Sequence, residues 1–144
     1  MITSLAIKRS FSADPEKVFA FVTQPEHLLK WWGPEGVSIA ENTLDFSRPG
    51  DWSSVMVNAD GKRFKVSGVV RTIDPPNSVE LTWGWHDDKD QRGHESLVRF
   101  DIQPDGRGGT HFTVFHTGLA DDESSANHNM GWTSSLKKLE RMAS

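Results

Sequence analysis

The middle of the sequence is a run of six short segments in which apolar and polar residues alternate. The segments cover residues 36–46, 52–57, 64–73, 79–86, 95–102 and 111–117. Clusters of Gly, Pro, Asn and Asp lie between them, for example at residues 58–61 and 74–77, and such clusters end strands. Short strands joined by turns favour an antiparallel meander. A sheet of this kind has to bury one of its faces, and this requirement limits the folds open to the chain.

One strand and two short helices are expected before this run. Residues 2–11 alternate and predict a first strand, in which Arg9 interrupts the inward side and is expected at the sheet edge. Asp14 can cap a helix that begins at Pro15, because proline suits the first helical position. A second short helix is predicted from Pro25 to the Gly-Pro pair at residues 33–34.

The last segment, residues 122–142, predicts a long helix. Trp132, Leu136 and Leu139, followed by Ala143, recur at helical spacing and form one apolar stripe. This is the only large apolar helix available to cover the buried face of the sheet, so the sheet is expected to curl around it. The sequence therefore predicts an α+β fold in which a curved antiparallel sheet is wrapped around a long C-terminal helix, with two short helices after strand 1.

Length and composition exclude several classes of protein. The chain of 144 residues has the size of a single domain, which we assign to residues 1–144. Its net charge of −4 and its scattered Lys and Arg argue against nucleic acid as a partner. Cysteine is absent, which excludes disulfides and cysteine-ligated metals. The N-terminal residues alternate, and no window approaches the ~18 apolar residues of a membrane span, so we expect no signal peptide, no membrane span and a cytoplasmic location.

Large aromatic residues are concentrated on the inward side of the predicted strands. Trp83 and Trp85 share this side in one strand, and Phe112 and His116 share it in the last. Each buried aromatic side chain removes about 150–250 Å² from water, more than Trp132 and its helical neighbours can match. The sequence therefore leaves room for a cavity between sheet and helix. For the three tryptophans, core packing and ligand contact stay equally open, whereas His116 is more typical of a hydrogen-bonded core or rim histidine.

No catalytic or metal-binding motif stands out. His111 and His116 are five residues apart in one strand, which places them on opposite faces. His86 and His94 flank a loop without a clear third ligand, and this pattern favours a solvated turn over a weak metal site. Neither a nucleophile elbow nor a phosphate-binding loop is present. We therefore assign no catalytic residue, no metal ligand and no cofactor, and this pattern favours a protein without enzymatic activity.

The chain resembles the stand-alone homologues of the activator of heat-shock protein 90 ATPase. The resemblance covers nearly the whole sequence and is carried by residues 31–34 (Trp-Trp-Gly-Pro), 69–77, 83–85 (Trp-Gly-Trp), 109–110 and 131–136. These homologues belong to the START-like (SRPBCC) superfamily, together with pollen allergens and polyketide cyclases. The resemblance implies a helix-grip fold with an apolar cavity between the sheet and the C-terminal helix.

On this basis, ten residues are expected to line the cavity and bind a ligand. They are Trp31, Phe46, Trp52, Phe64, Trp83, Trp85, Phe112, His116, Met130 and Trp132. The leading hypothesis is a carrier, sensor or sequestering protein for a small apolar or aromatic molecule.

Two alternatives remain open at this point. The first is a module that binds a chaperone partner through the convex face of the sheet or the rim near residues 87–93. The second is an enzyme of cyclase or aromatase type, in which an acid or base in the cavity moves protons on the ligand. A protein partner or a homodimer is also compatible with the sequence.

Overall fold

A computed structural model describes residues 3–144 of the chain. Within this range the elements follow one another in the predicted order, one strand, two helices, six strands and one helix. They are β1 (Thr3–Phe11), α1 (Pro15–Thr23), α2 (Pro25–Trp31), β2 (Ser38–Asn42), β3 (Gly50–Val57), β4 (Arg63–Asp74), β5 (Ser78–His86), β6 (Arg92–Pro104), β7 (Thr110–Leu119) and α3 (Asp122–Ala143).

The seven strands form one antiparallel sheet in the order β1-β7-β6-β5-β4-β3-β2. From β2 to β7, each strand pairs with the next one along the chain, as expected for a meander, and β1 closes the other edge by pairing with β7. The predicted α+β helix-grip fold, with a curved sheet around α3, is confirmed. No helix within residues 3–144 combines the length and the apolar character that crossing a membrane requires.

The predicted strand over residues 36–46 is too long. β2 ends at Asn42, and the chain then leaves the sheet so that the backbone N–H of Phe46 donates to the carbonyl of Thr23 at the end of α1 (2.8 Å). The Phe46 side chain is fully buried against Trp32 and Trp52. Packing of this ring in the core therefore ends the strand earlier than the alternating pattern indicates.

The two short helices begin as predicted. Asp14 caps α1 by accepting a hydrogen bond from the backbone N–H of Lys17 (2.8 Å), and Pro15 occupies the first turn. α1 contacts β6, and α2 contacts α3. The indole N–H of Trp31 donates to the carbonyl of Phe21 (2.9 Å), which ties α2 to α1. The helix pair thereby packs on β6 and α3 as one unit.

The C-terminal end of α3 is fastened to β1 and its neighbours. The carbonyl of Ala143 accepts from the backbone N–H of Ala13 (2.8 Å), and Thr110 donates to the carbonyl of Ala13 (2.8 Å). Arg9, which the sequence places at the sheet edge, forms an ion pair with Glu140 of α3 (2.8 Å). These contacts fix one end of the helix against the sheet.

Candidate functional site

A cleft of about 470 Å³ lies between the N-terminal half of α3, β5 and the segment that follows α2. Its wall combines large aromatic side chains with small and polar residues of α3. The lining residues are Trp32, Gly33, Pro34, Met56, Trp83, Trp85, Asp121, Glu123, Ser124, Asn127, His128, Gly131, Trp132 and Ser135. The site is a cleft that opens to solvent at the N-terminal end of α3, where Asp121 and Glu123 are exposed.

Four indole rings from three elements form the apolar wall. Trp83 and Trp85 are two residues apart in β5, so their side chains lie on the same face of the sheet. Trp32 follows the last residue of α2, and Trp132 lies in α3. The ring centre of Trp83 lies 5.3 Å from that of Trp132, 5.7 Å from that of Trp32 and 5.8 Å from that of Trp85. The rings contact one another and fix the shape of the cleft.

A buried hydrogen-bond chain supports Trp132 from below. Its indole N–H donates to Nδ1 of His116 (3.0 Å), and His116 lies with Nε2 at 2.7 Å from the hydroxyl of Ser96. Ser96 in turn donates to the carbonyl of Trp83 (3.3 Å). One assignment satisfies every group, namely a neutral imidazole with its proton on Nε2. Burial, together with the nearby His128, lowers the pKa of His116 to about 3, in agreement with that neutral form.

A second indole–imidazole pair stands at the edge of the cleft. The indole N–H of Trp85 donates to Nε2 of His128 (2.9 Å), and Nδ1 of His128 donates to the carbonyl of Ser124 one turn earlier in α3 (2.7 Å). Burial lowers the pKa of His128 below its usual range. Both ring nitrogens of His128 are therefore occupied when the ring is neutral, and the pair joins the N-terminal half of α3 to β5.

A second cleft, of about 460 Å³, lies on the other side of this pair. Trp83, Trp85, Ser124 and His128 line both clefts, whereas the second also contacts the loop between β5 and β6. The hydrogen bond from Trp85 to His128 therefore lies in a partition between an aromatic cleft and a more polar one.

One polar group beside the cleft has no partner in the protein. The indole N–H of Trp83 is buried and meets no acceptor among the described residues, and the same holds for Trp52 behind it. A buried donor without an acceptor costs free energy. Trp83, which lines the cleft, therefore carries a buried hydrogen-bond donor that residues 3–144 leave unsatisfied.

The structure divides the ten predicted residues into groups. Trp83, Trp85 and Trp132 line the cleft, and His116 lies beneath Trp132, where it is completely buried. Four others are packed in the core instead of lining the cleft. These are Trp31, Phe46, Trp52 and Phe112. Alternation alone predicts too much empty space between sheet and helix, because it does not show how closely these rings pack on Phe100 and on one another.

The remaining two predicted residues, Phe64 and Met130, are exposed. Phe64 is at the outer end of β4, where the ammonium of Lys62 lies 5.2 Å from its ring centre. Met130 is 71% exposed because it points away from the sheet, while its neighbours Gly131 and Trp132 line the cleft. Neither residue lies in the cleft.

Several cleft residues were not among the predicted ones. In α3 these are Glu123, Ser124, Asn127, His128, Gly131 and Ser135. Of these, Ser124, His128, Gly131 and Ser135 follow one another at spacings of four, three and four and form a stripe beside Trp132. These residues can be predicted if the helical period is also applied to small and polar residues, because the position of a residue in a helix determines which way its side chain points. Trp32 was missed for another reason, since adjacent tryptophans in the sequence give no sign of which one lines the cleft.

No group of three or more His, Asp or Glu side chains within the described part of the chain is arranged to hold a metal ion. His86, considered above with His94, bonds to Asp90 (2.8 Å) and Ser67 (2.6 Å). His94 lies with Nε2 at 2.6 Å from the carbonyl of Gly118. These side chains therefore organise the β5–β6 hairpin and the end of β7.

The sequence and the structure were compared with known proteins. The family model described as Activator of Hsp90 ATPase homolog 1-like protein matches residues 12–144. No curated protein matches the sequence. The AHSA1 protein from Silicibacter pomeroyi is 48% identical and superimposes with a TM-score of 0.93, over 97% of this chain and 96% of that one.

Two more distant structures share the fold. A protein from Chromobacterium violaceum is 22% identical, with a TM-score of 0.86 over 97% of this chain and 96% of that one. A protein from Mycobacterium smegmatis is 20% identical, with a TM-score of 0.80 over 98% of this chain and 90% of that one. Since the family model spans almost the entire sequence, the chain belongs to the Activator of Hsp90 ATPase homolog 1-like family, whose members have the START-like fold.

Proposed function

We propose that the protein binds a small apolar or aromatic molecule in the cleft between β5 and the N-terminal half of α3, as a carrier, sensor or sequestering protein. The observation that carries the proposal is the cleft itself, whose volume of about 470 Å³ falls within the usual range for small-molecule sites. Four indoles supply apolar area, and a few polar groups from α3 are available to orient a ligand.

Acid–base catalysis by His116 receives no support. The ring lies below the cleft, both nitrogens are hydrogen-bonded, and its pKa is lowered to about 3. A general base has to reach the proton that it removes and hold a pKa near the working pH. His116 meets neither condition, so we assign it the role of holding Trp132 in place.

The proposal is tested by filling the cleft from a position that tolerates change. Gly131 lines the cleft, and a Cβ at this position would meet Pro34 at 3.9 Å, an ordinary contact. Gly131→Ala therefore serves as the control, and Gly131→Phe places a ring in the cleft. Titration with aromatic ligands, followed by tryptophan fluorescence and calorimetry, should show saturable binding to the wild type and to the alanine variant.

The phenylalanine variant should bind at least about tenfold more weakly, because the added ring occupies the volume that the ligand needs. A melting temperature no lower than that of the wild type separates this effect from misfolding. Equal affinity in both variants, or no saturable binding of any aromatic compound to the wild type, would contradict the proposal.

A second candidate function is binding to a chaperone. It is supported by the description of the family model, which names activation of the Hsp90 ATPase. The test measures the ATPase rate of purified Hsp90 with and without this protein. An increase that depends on the loop at residues 87–91 would favour the chaperone role, and an unchanged rate would argue against it.

A further inference from the structure

The lining of the cleft contains acidic side chains but no Lys or Arg. Asp121 and Glu123, at the mouth, are the charged side chains that line the cleft. Within the described part of the chain, neither carboxylate takes part in an ion pair. The wall opposite them consists of indole rings, whose faces attract cations.

The histidine of the cleft does not offset this charge. Both ring nitrogens of His128 are engaged in the neutral form, and burial lowers its pKa. His116 is also neutral, for the reasons given above. Near neutral pH, the two imidazoles therefore add no positive charge to the site.

The basic groups nearest the cleft lie away from its acidic mouth or are paired. Lys138, one turn beyond Ser135, donates to the carbonyl of the lining residue Trp32 (3.4 Å), about four helical turns from Glu123. Arg141 is paired with Glu35, and Arg92, in the second cleft, is paired with Glu95 (2.9 Å). The N-terminus of α3 carries a partial positive charge of about half a unit, which reduces but does not cancel the two carboxylates.

We propose that the cleft selects a positively charged ligand, namely an aromatic or apolar amine, whose ring packs between the indoles and whose ammonium group lies at the acidic mouth. This inference rests on the proposed function and names the ligand class. A carboxylate such as a fatty acid would face two like charges at the mouth, and is therefore disfavoured.

Three probes with the same ring and different head groups test the preference. They are 2-naphthylmethylammonium, 2-naphthylmethanol and 2-naphthoate, titrated by calorimetry near neutral pH and at low ionic strength. We expect the ammonium to bind about five- to tenfold more tightly than the alcohol, since exposed ion pairs and cation–π contacts are each modest. The carboxylate should bind most weakly. The difference should shrink in about 0.5 M salt, because the mouth is exposed and salt screens exposed charges.

A double variant, Asp121→Asn with Glu123→Gln, removes both charges with little change of shape. Asparagine is as good an N-cap as aspartate, so α3 keeps its hydrogen bond to the N–H of Ser124. Asp122→Asn is the matched control, because it lies in the same helical turn but does not line the cleft. The double variant should lose most of the preference for the ammonium over the alcohol, whereas the control should behave as the wild type.

The outcomes separate this inference from the proposed function. If the alcohol binds as tightly as the ammonium, or if the carboxylate binds best, the cleft is a ligand site without a preference for cations. If the control loses the preference as fully as the double variant, the effect comes from overall charge, and the inference fails. If none of the three probes binds, the proposed function fails as well.

Discussion

The two halves of α3 face the same sheet but meet it in different ways. In the C-terminal half, Trp132, Ser135, Leu136, Leu139 and Ala143 are buried, and an ion pair and a backbone hydrogen bond fasten the end of the helix. In the N-terminal half, residues 122–131, every residue is at least partly exposed, and the cleft lies between β5 and this half together with Trp132 and Ser135. One helix thus provides both the closed core and the open site.

The difference between the two halves arises from the size of the side chains on the inward side of α3. His128 lies on the same face of the helix as Leu139, eleven residues later, and Ser124 and Gly131 lie beside it on the side that lines the cleft. Where the inward side carries leucines, it fills the space above the sheet. Where it carries small or polar residues, the space stays open. In that part, hydrogen bonds take over from apolar burial in fixing the position of the helix. Stability and binding are therefore assigned to different turns of one helix.

The largest expected effect is a difference in stability between the two halves. Leu136→Ala removes a completely buried side chain and should lower the free energy of unfolding by about 2 to 5 kcal/mol. Met130→Ala, at a position that is 71% exposed, should change it by less than about 0.5 kcal/mol. Chemical denaturation of both variants measures the difference. Comparable losses would show that the N-terminal half carries as much of the core as the C-terminal half.

The next effect concerns the acid sensitivity of the closed core. The pKa of His116 is lowered from 6.5 to about 3, so the unfolded chain binds a proton at a higher pH than the folded chain does. Stability contributed by the neutral ring is complete above pH 6.5 and declines as the pH falls toward 3. Between these limits, a fall of about two pH units should cost about 2 to 3 kcal/mol.

His116→Gln should flatten this pH dependence, since the amide does not titrate and can still accept from Trp132. His111→Gln is the matched control, because His111 lies on the same strand with its side chain on the outer face. Denaturation curves at several pH values provide the measurement. If the slope in the His116→Gln variant equals that of the wild type, another group is responsible for the acid sensitivity.

Much of the fold could be predicted from the sequence, because it follows from local patterns. Alternation marks strands, turn residues mark their ends, and Asp14 with Pro15 marks the start of α1. Phe46 marks the limit of this reasoning. Its ring is drawn into the core from a non-strand segment, and alternation alone does not distinguish such a residue from the last residue of a strand.

The site was harder to predict, because a cleft depends on which rings pack against one another. Trp83, Trp85 and Trp132 were found because they share a face with known core positions. Trp52 has the same sequence signature and is nevertheless enclosed by Trp32, Phe46 and Trp83. Sequence patterns give the direction of a side chain, but not the distance to its opposite neighbour.

A smaller effect is expected at the hydrogen bond that supports the open half. Protonation of His128 would put a hydrogen on Nε2, which then no longer accepts from Trp85. Burial is the main cause of the lowered pKa of His128. Because an N–H donor to Nε2 favours the neutral ring, Trp85→Phe should move the pKa of His128 toward its usual range. Titration of the imidazole signals by NMR measures the shift.

Trp32→Phe is the control for this change, since its indole N–H donates to Ser54 (3.0 Å) and not to a histidine. A second measurement is amide hydrogen exchange of the wild-type protein. When the pH is lowered and His128 is protonated, exchange should become faster in residues 122–131, whereas residues 132–143 should stay protected. Uniform exchange along α3 would mean that the two halves open together, which contradicts the division of the helix into a closed and an open half.

The smallest effect is a gain in stability within the open half. Gly131→Ala replaces the helix-disfavouring residue and should stabilise the protein by up to about 1 kcal/mol, since its Cβ would meet Pro34 at an ordinary 3.9 Å. In the closed half, Ala143→Val adds atoms where the side chain is only 1% exposed and should instead destabilise by about 1 to 3 kcal/mol. Thermal and chemical denaturation measure both changes. The two changes in stability should have opposite signs, because only the open half has free space above the sheet. A loss of stability in Gly131→Ala would show that the open half is packed as tightly as the closed one.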